Sequence, residues 1–166
     1  MSEKQLFEKL VEKGLLAANQ SEKILAEALL SQKKAEDFLY ERRLVDEVEV
    51  AKVKSELLKV PFKKVNLENL TQDVLKLIPE DNVESYKVVP LSITKNILVV
   101  GMLYPDNERA QEVLRFLAKQ NKIDLGVYLI SRSDYDAVLR KYNPYLNEVN
   151  AALRFINPEK RKDAPE

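Results

Sequence analysis

Apolar residues recur every three or four positions through most of the first 58 residues. Leu6, Phe7, Leu10 and Val11 share one face of a predicted helix, and Ile24, Leu25, Ala28 and Leu29 one face of a second. Phe38 and Leu39 mark a short third helix, and Val50, Val53 and Leu57 form the inward stripe of a fourth. Start signals agree with these periods. Ser2 with Gln5 has capping-box spacing, Asn19 or Ser21 can open the second helix, and Asp46 with Glu49 caps the fourth. Gly14 suits the position just past the first helix, where left-handed backbone is needed. Residues 15–60 contain neither glycine nor proline, so a helical bundle is predicted there.

At Val60-Pro61-Phe62 the pattern changes. Phe62 to Val65 reads as a short extended piece, which Pro61 confines to a sheet edge or a strand's first residue. Thr71 caps a short helix through Leu77, and Pro79 opens another that ends near Tyr86. Lys87 to Leu91, Asn96 to Leu103 and Leu125 to Ile130 read as strands. The run Ile97-Leu98-Val99-Val100 is continuous rather than alternating, as in a strand covered on both faces. Asp106 or Asn107 caps an intervening helix bearing Ala110, Val113, Leu114 and Leu117, so Ile97 to Ile130 forms a βαβ unit with parallel strands. Ser131 or Ser133 caps a last helix carrying Val138, Leu139 and Tyr142.

The predicted fold class is therefore α+β. A helical subdomain of about four helices (residues 1–58) packs beside a small α/β subdomain containing the βαβ unit (residues 59–142). Residues 143–166, with Pro144, a candidate helix from Tyr145 to Ile156 and a charged, proline-containing tail, read as a linker.

Missing residues narrow the chemistry. With no histidine, a Ser–His–Asp hydrolase, a His-ligated zinc site and imidazole acid/base work are excluded; with no cysteine, so are disulfides and thiolate chemistry. The only glycines, Gly14, Gly101 and Gly126, are too scattered for a Walker A loop or a dinucleotide fingerprint. Lys and Arg balance Asp and Glu at 27 each, which leaves no field for a nucleic-acid backbone. The longest apolar run, Ile97 to Tyr104, is too short to cross a bilayer. These features point to a non-catalytic, cytoplasmic chain that inserts into no membrane and binds no nucleic acid.

One device occurs twice. Leu10-Val11-Glu12-Lys13-Gly14-Leu15-Leu16 aligns without a gap on Leu39-Tyr40-Glu41-Arg42-Arg43-Leu44-Val45, 29 positions on. With "KVPF", "LIPEDNVESYKVVPL", "LVVGMLYPDN" and "LISRSDYDAVLRKY" following in order, residues 4 to 142 resemble a known domain. It is the N-terminal domain of the ATPases that drive type II secretion and type IV pilus assembly. The resemblance implies a domain that precedes the motor and docks it, through protein contacts, to the cytoplasmic part of an inner-membrane platform protein. Partners would be that platform and the chain's own C-terminal ATPase domain, toward which residues 143–166 would lead.

Some members bind cyclic di-GMP through two tandem motifs of the form R-L-G-x-x-L-V-x-x-G-L-L. In the first copy here Leu10, Val11, Gly14, Leu15 and Leu16 match, while Gln5, Leu6 and Phe7 stand at the leading Arg-Leu-Gly. In the second, Leu39, Leu44 and Val45 match, Lys34, Ala35 and Glu36 stand at the lead, and Arg43 replaces the inner glycine. Neither Gln5 nor Lys34 can both stack on a base and pair with phosphate as arginine does. Phe7 and Glu36 add bulk where glycine would admit a nucleotide, and Glu36 adds a repelling charge. No cofactor is expected on this reading, and a cyclic-di-GMP-sensing module or a stand-alone adaptor are the alternatives. Arg42 and Arg43, the only adjacent arginine pair, are candidate contacts for an acidic partner surface.

Overall fold

Ser2 and Gln5 form the reciprocal cap that their spacing predicts: the Gln5 N–H donates to Ser2 Oγ at 3.2 Å and the Ser2 N–H to Gln5 Oε1 at 2.9 Å. In the computed structural model, which describes residues 1–142, this cap opens α1 (Glu3–Glu12). Then follow α2 (Ala18–Ser31), α3 (Ala35–Glu41) and α4 (Glu47–Leu58). After a 3₁₀ turn come α5 (Gln72–Leu75), α6 (Glu80–Tyr86), β1 (Val88–Thr94), β2 (Ile97–Met102), α7 (Glu108–Asn121), β3 (Asp124–Leu129) and α8 (Arg132–Tyr142). The fold is α+β with an N-terminal helical region. The linker and Tyr145–Ile156 helix expected at 143–166 lie outside the described residues.

The caps mostly fall where the sequence puts them. Asp46 accepts from the Val48 N–H, Thr71 from Val74, Asn107 from Ala110 and Ser131 from Asp134. Three boundaries differ. α2 starts at Ala18, behind an Ala17 cap with no side-chain bond, so Asn19 lies inside the helix, where its side-chain oxygen accepts from the Gln20 N–H. Pro79 is the cap of α6 rather than its first residue. α5 stops at Leu75, short of the expected Leu77.

The sheet has the order β1-β2-β3. β2 and β3 run parallel in register from Ile97↔Asp124 to Met102↔Leu129, with α7 as the crossover, as the βαβ pattern predicts. β1 runs three residues beyond the expected Leu91 and pairs antiparallel with β2. Lys95 and Asn96, at φ +49° and +74°, supply the two left-handed residues that such a tight hairpin needs. Phe62 makes a single parallel bridge to Leu129, so the Phe62–Val65 piece is an edge contact instead of a full strand.

Buried side chains gather in two clusters. One holds Leu6, Phe7, Leu10, Ile24, Phe38, Leu39, Val50 and Val53 of the helical region. The other holds Ile78, Val83, Val89, Leu98, Val100, Leu114 and Val138 around the sheet. Tyr135 and Tyr142 anchor α8 to the second cluster, donating their hydroxyls to the carbonyls of Val83 and of Leu75 and Ile78. Leu29 departs from the predicted stripe and is 83% exposed.

The duplicated device is a pair of identical helix ends. Gly14 N–H donates to the Val11 carbonyl and Leu15 N–H to that of Leu10; Arg43 N–H donates to Tyr40 and Leu44 N–H to Leu39 in the same way. This is the Schellman pattern, with the residue after the cap in left-handed backbone. Gly14 sits at φ +72° and Arg43 at φ +50°, so the second copy forces an L-side chain into glycine's conformation. A Cβ at position 14 would meet nothing within 4 Å, so any cost there is purely conformational.

Arg43→Gly should therefore raise stability by about 1 kcal/mol and Gly14→Ala lower it by a similar amount in urea unfolding. Burial also holds Tyr135 protonated up to about pH 12. Tyrosine in the unfolded chain ionises near pH ~10, so stability should fall as pH rises from there through about 12. Unfolding curves recorded alongside tyrosinate absorbance would check this.

Candidate functional site

The aliphatic motif residues point into the bundle. Leu10 and Leu39 are fully buried in the helical core, and Val11, Leu15 and Leu44 pack against it. Lys13 Nζ reaches Glu56 Oε1 at 2.6 Å, which places the first turn beside the C-terminal half of α4. The second turn leads directly into α4 at Asp46. The two turns thus sit near opposite ends of α4, about 15 Å apart along its axis.

The leading motif positions have become structural. Gln5 is occupied by the α1 cap. Phe7 is a fully buried core side chain. Lys34 is the cap residue of α3, and its ammonium lies 3.5 Å from the centroid of the Tyr104 ring. Glu36 is 6% exposed, and its carboxylate faces inward rather than toward a ligand. There it accepts from Lys54 Nζ at 2.9 Å and from the Tyr40 hydroxyl at 2.5 Å. Its charge is matched by an ammonium, which answers the repulsion that the sequence predicts, while its bulk remains.

This pair is the centre of the seam between the helical region and the sheet. Lys54 also donates to the Leu103 carbonyl at 2.8 Å, just past β2. Its ammonium stands 4.9 Å from the Tyr104 centroid. Around it, Arg132 bonds Asp37 at 2.6 Å, and the Ser133 hydroxyl and N–H both donate to Glu47. A cavity of about 10 Å³ between Glu36, Tyr40, Lys54, Tyr104 and Arg132 admits one water at most. Burial and the Glu36 carboxylate drive the Tyr40 hydroxyl far above its ordinary pKa, and burial raises that of Tyr104 to about 12. Both phenols stay neutral at any physiological pH, and Tyr40 is thereby kept as the donor to Glu36.

Sequence reasoning missed this network, although its signal was present. Lys54 stands four residues after Val50, on the same inward stripe, and Glu36 stands three before Leu39. A charge on each of two buried stripes implies that they meet. Of the arginine pair, Arg42 clamps α3 to α2, with its guanidinium bidentate on Glu27 at 3.0 and 2.5 Å and 4.7 Å from the Phe38 ring centroid. That contact holds the Glu27 carboxyl below its usual pKa. Arg43 carries the strained turn and borders an open hollow with Tyr40, Val45, Asp46 and Glu47.

The family model described as MshEN domain matches residues 58–149, more than half of the chain. A solved structure of MshE with cdg aligns at 18% identity and a TM-score of 0.65, covering 82% of this chain and 97% of that one. The N-terminal domain of XpsE aligns at 18% identity and 0.59, covering 82% and 92%. At such identity the likeness is one of fold. No curated protein matches.

Removing one partner of the seam should strand a buried charge. Lys54→Met should cost about 3–5 kcal/mol in urea unfolding, and adding Glu36→Leu should recover part of that loss.

Proposed function

The chain belongs to the MshEN domain family, the N-terminal domains of type IV pilus and type II secretion ATPases, and from this we propose a docking and regulatory domain. It would be non-catalytic and would couple a C-terminal motor to the cytoplasmic part of an inner-membrane platform protein. Residues 1–58 would offer the contact face and residues 59–142 would orient it. The domain would work in the cytoplasm and reach the membrane only through its partner. Among the described residues no helix is long and apolar enough to cross a bilayer.

The observation that carries a protein-docking role over ligand sensing is the fate of the motif's leading residues. Phe7 is core and Glu36 is half of a buried ion pair, so the room glycine would leave is filled. Capture of the platform protein's cytoplasmic region by the purified chain is the expected result; no capture would remove the docking role.

The fold shared with MshE, solved with cdg, supports cyclic di-GMP sensing as the second reading. It separates from the first by titration. A ligand at 100-fold its Kd adds about 2.7 kcal/mol of stability. The docking reading expects no shift in melting temperature with cyclic di-GMP, and a saturating shift would favour the sensor.

A further inference from the structure

Leu29 and Leu30, at 83% and 89% exposed, are the most exposed large apolar side chains among the described residues. Helix α2 should bury its apolar stripe, and it does so only with Ile24 and Ala28. Leu29 instead lines an open groove between α1 and α2 with Leu25 and Ala28. The groove holds about 490 Å³ and is walled mostly by carbon. A concave, carbon-lined hollow of this size can seat apolar side chains of another molecule.

The charges at its mouth choose the occupant. Glu3 and Lys4 stand on the α1 side, Gln32 and Lys33 on the α2 side. The Glu3 carboxylate accepts from the Glu36 N–H at 3.5 Å at the start of α3. On α2, the nearest acid, Glu27, is bound by Arg42. Lys4 reaches Glu8 only at 4.0 Å, with both side chains largely exposed, and Lys33 has no ion-pair partner among the described residues. A lysine therefore stands on each bank of the apolar floor, beside Glu3, whose carboxylate meets only a backbone N–H among the described residues.

We propose that this groove receives an amphipathic helix of a protein partner, with aliphatic anchors seated against Leu25 and Leu29 and acidic residues meeting Lys4 and Lys33. Helix-in-groove recognition uses this combination of a carbon floor and polar banks. The assignment rests on the docking role proposed above and gives that role a place. It also gives a partner chemistry, acidic and helical, that Arg42 and Arg43 do not supply.

The test uses the intact chain and two labelled synthetic helices with leucines at i, i+3, i+4 and i+7, one flanked by glutamates and one by lysines. Fluorescence anisotropy should show binding of the acidic helix alone. Leu29→Asp should weaken it about tenfold or more, as expected for losing one buried leucine contact. Melting should fall only slightly, by the cost of an acidic residue in the last turn of α2, because that side chain is solvent-facing. Leu29→Ser provides a milder control, and Lys4→Glu with Lys33→Glu should shift preference to the basic helix. Equal binding of both helices, or none by the acidic one, overturns the proposal. So does Leu29-dependent self-association in sedimentation, which makes a second copy the occupant, or Leu29-dependent binding to anionic phosphatidylglycerol vesicles. Platform capture that survives Leu29→Asp overturns this groove while leaving the docking role intact; wild-type failure to capture the platform strikes only the docking role.

Discussion

A lysine and a glutamate hidden from water set the relation between the two halves of this protein. Lys54 and Glu36 retain 5% and 8% of their side-chain exposure, and each comes from a helix whose other inward residues are apolar. Desolvating two charges is costly, and their attraction repays it only when the remaining hydrogen-bond capacity is filled. Here the Leu103 carbonyl and the Tyr40 hydroxyl fill it, and no buried side-chain polar atom lacks a partner among the described residues. Because the carbonyl belongs to the sheet region and both charges to the helical region, the pair ties its own hydrogen-bond satisfaction to how the two regions dock. Sliding along the seam would break that bond to Leu103.

The same constraint accounts for the side chains that stand at the expected leading motif positions. The residue at the second leading glycine is a member of the seam, and the residue at the second leading arginine caps α3 and covers the Tyr104 ring beside it. At the first copy the same positions serve a helix cap and the helical core. These side chains are thus engaged in holding the fold together.

Much of the architecture was legible because local chemistry and tertiary structure agree. Ser2–Gln5, Asp46, Thr71 and Asn107 sit at real helix starts, and the run from Ile97 is a strand, although Ile97 is 41% exposed and Val99 half-buried, so only one of its faces is fully covered. Helix ends were harder to read. Gln32, Arg43, Lys59, Lys87 and Lys122 all adopt left-handed backbone at helix C-termini, and none carries glycine's signature. The β1–β2 turn was invisible for the same reason, with Asn96 its single hint. In the site, periodicity found the stripes but treated every charge as solvated. It therefore overlooked Lys54, took Glu36 for a ligand-facing charge, and placed Leu29 inside.

The mixed sheet carries a temporal consequence. β1 and β2 join across two residues, so their pairing closes a minimal loop, while β3 can reach β2 only after the whole of α7 has been spanned. Loop-closure entropy and the slowness of non-local parallel pairing then order the events: the hairpin forms early and serves as the template on which the third strand condenses. The last strand to arrive leads straight into Ser131 and Arg132, whose side chains cap α8 and bond Asp37 across the seam. On this order the contacts that Arg132 and Ser133 make across the seam are expected to follow completion of the sheet.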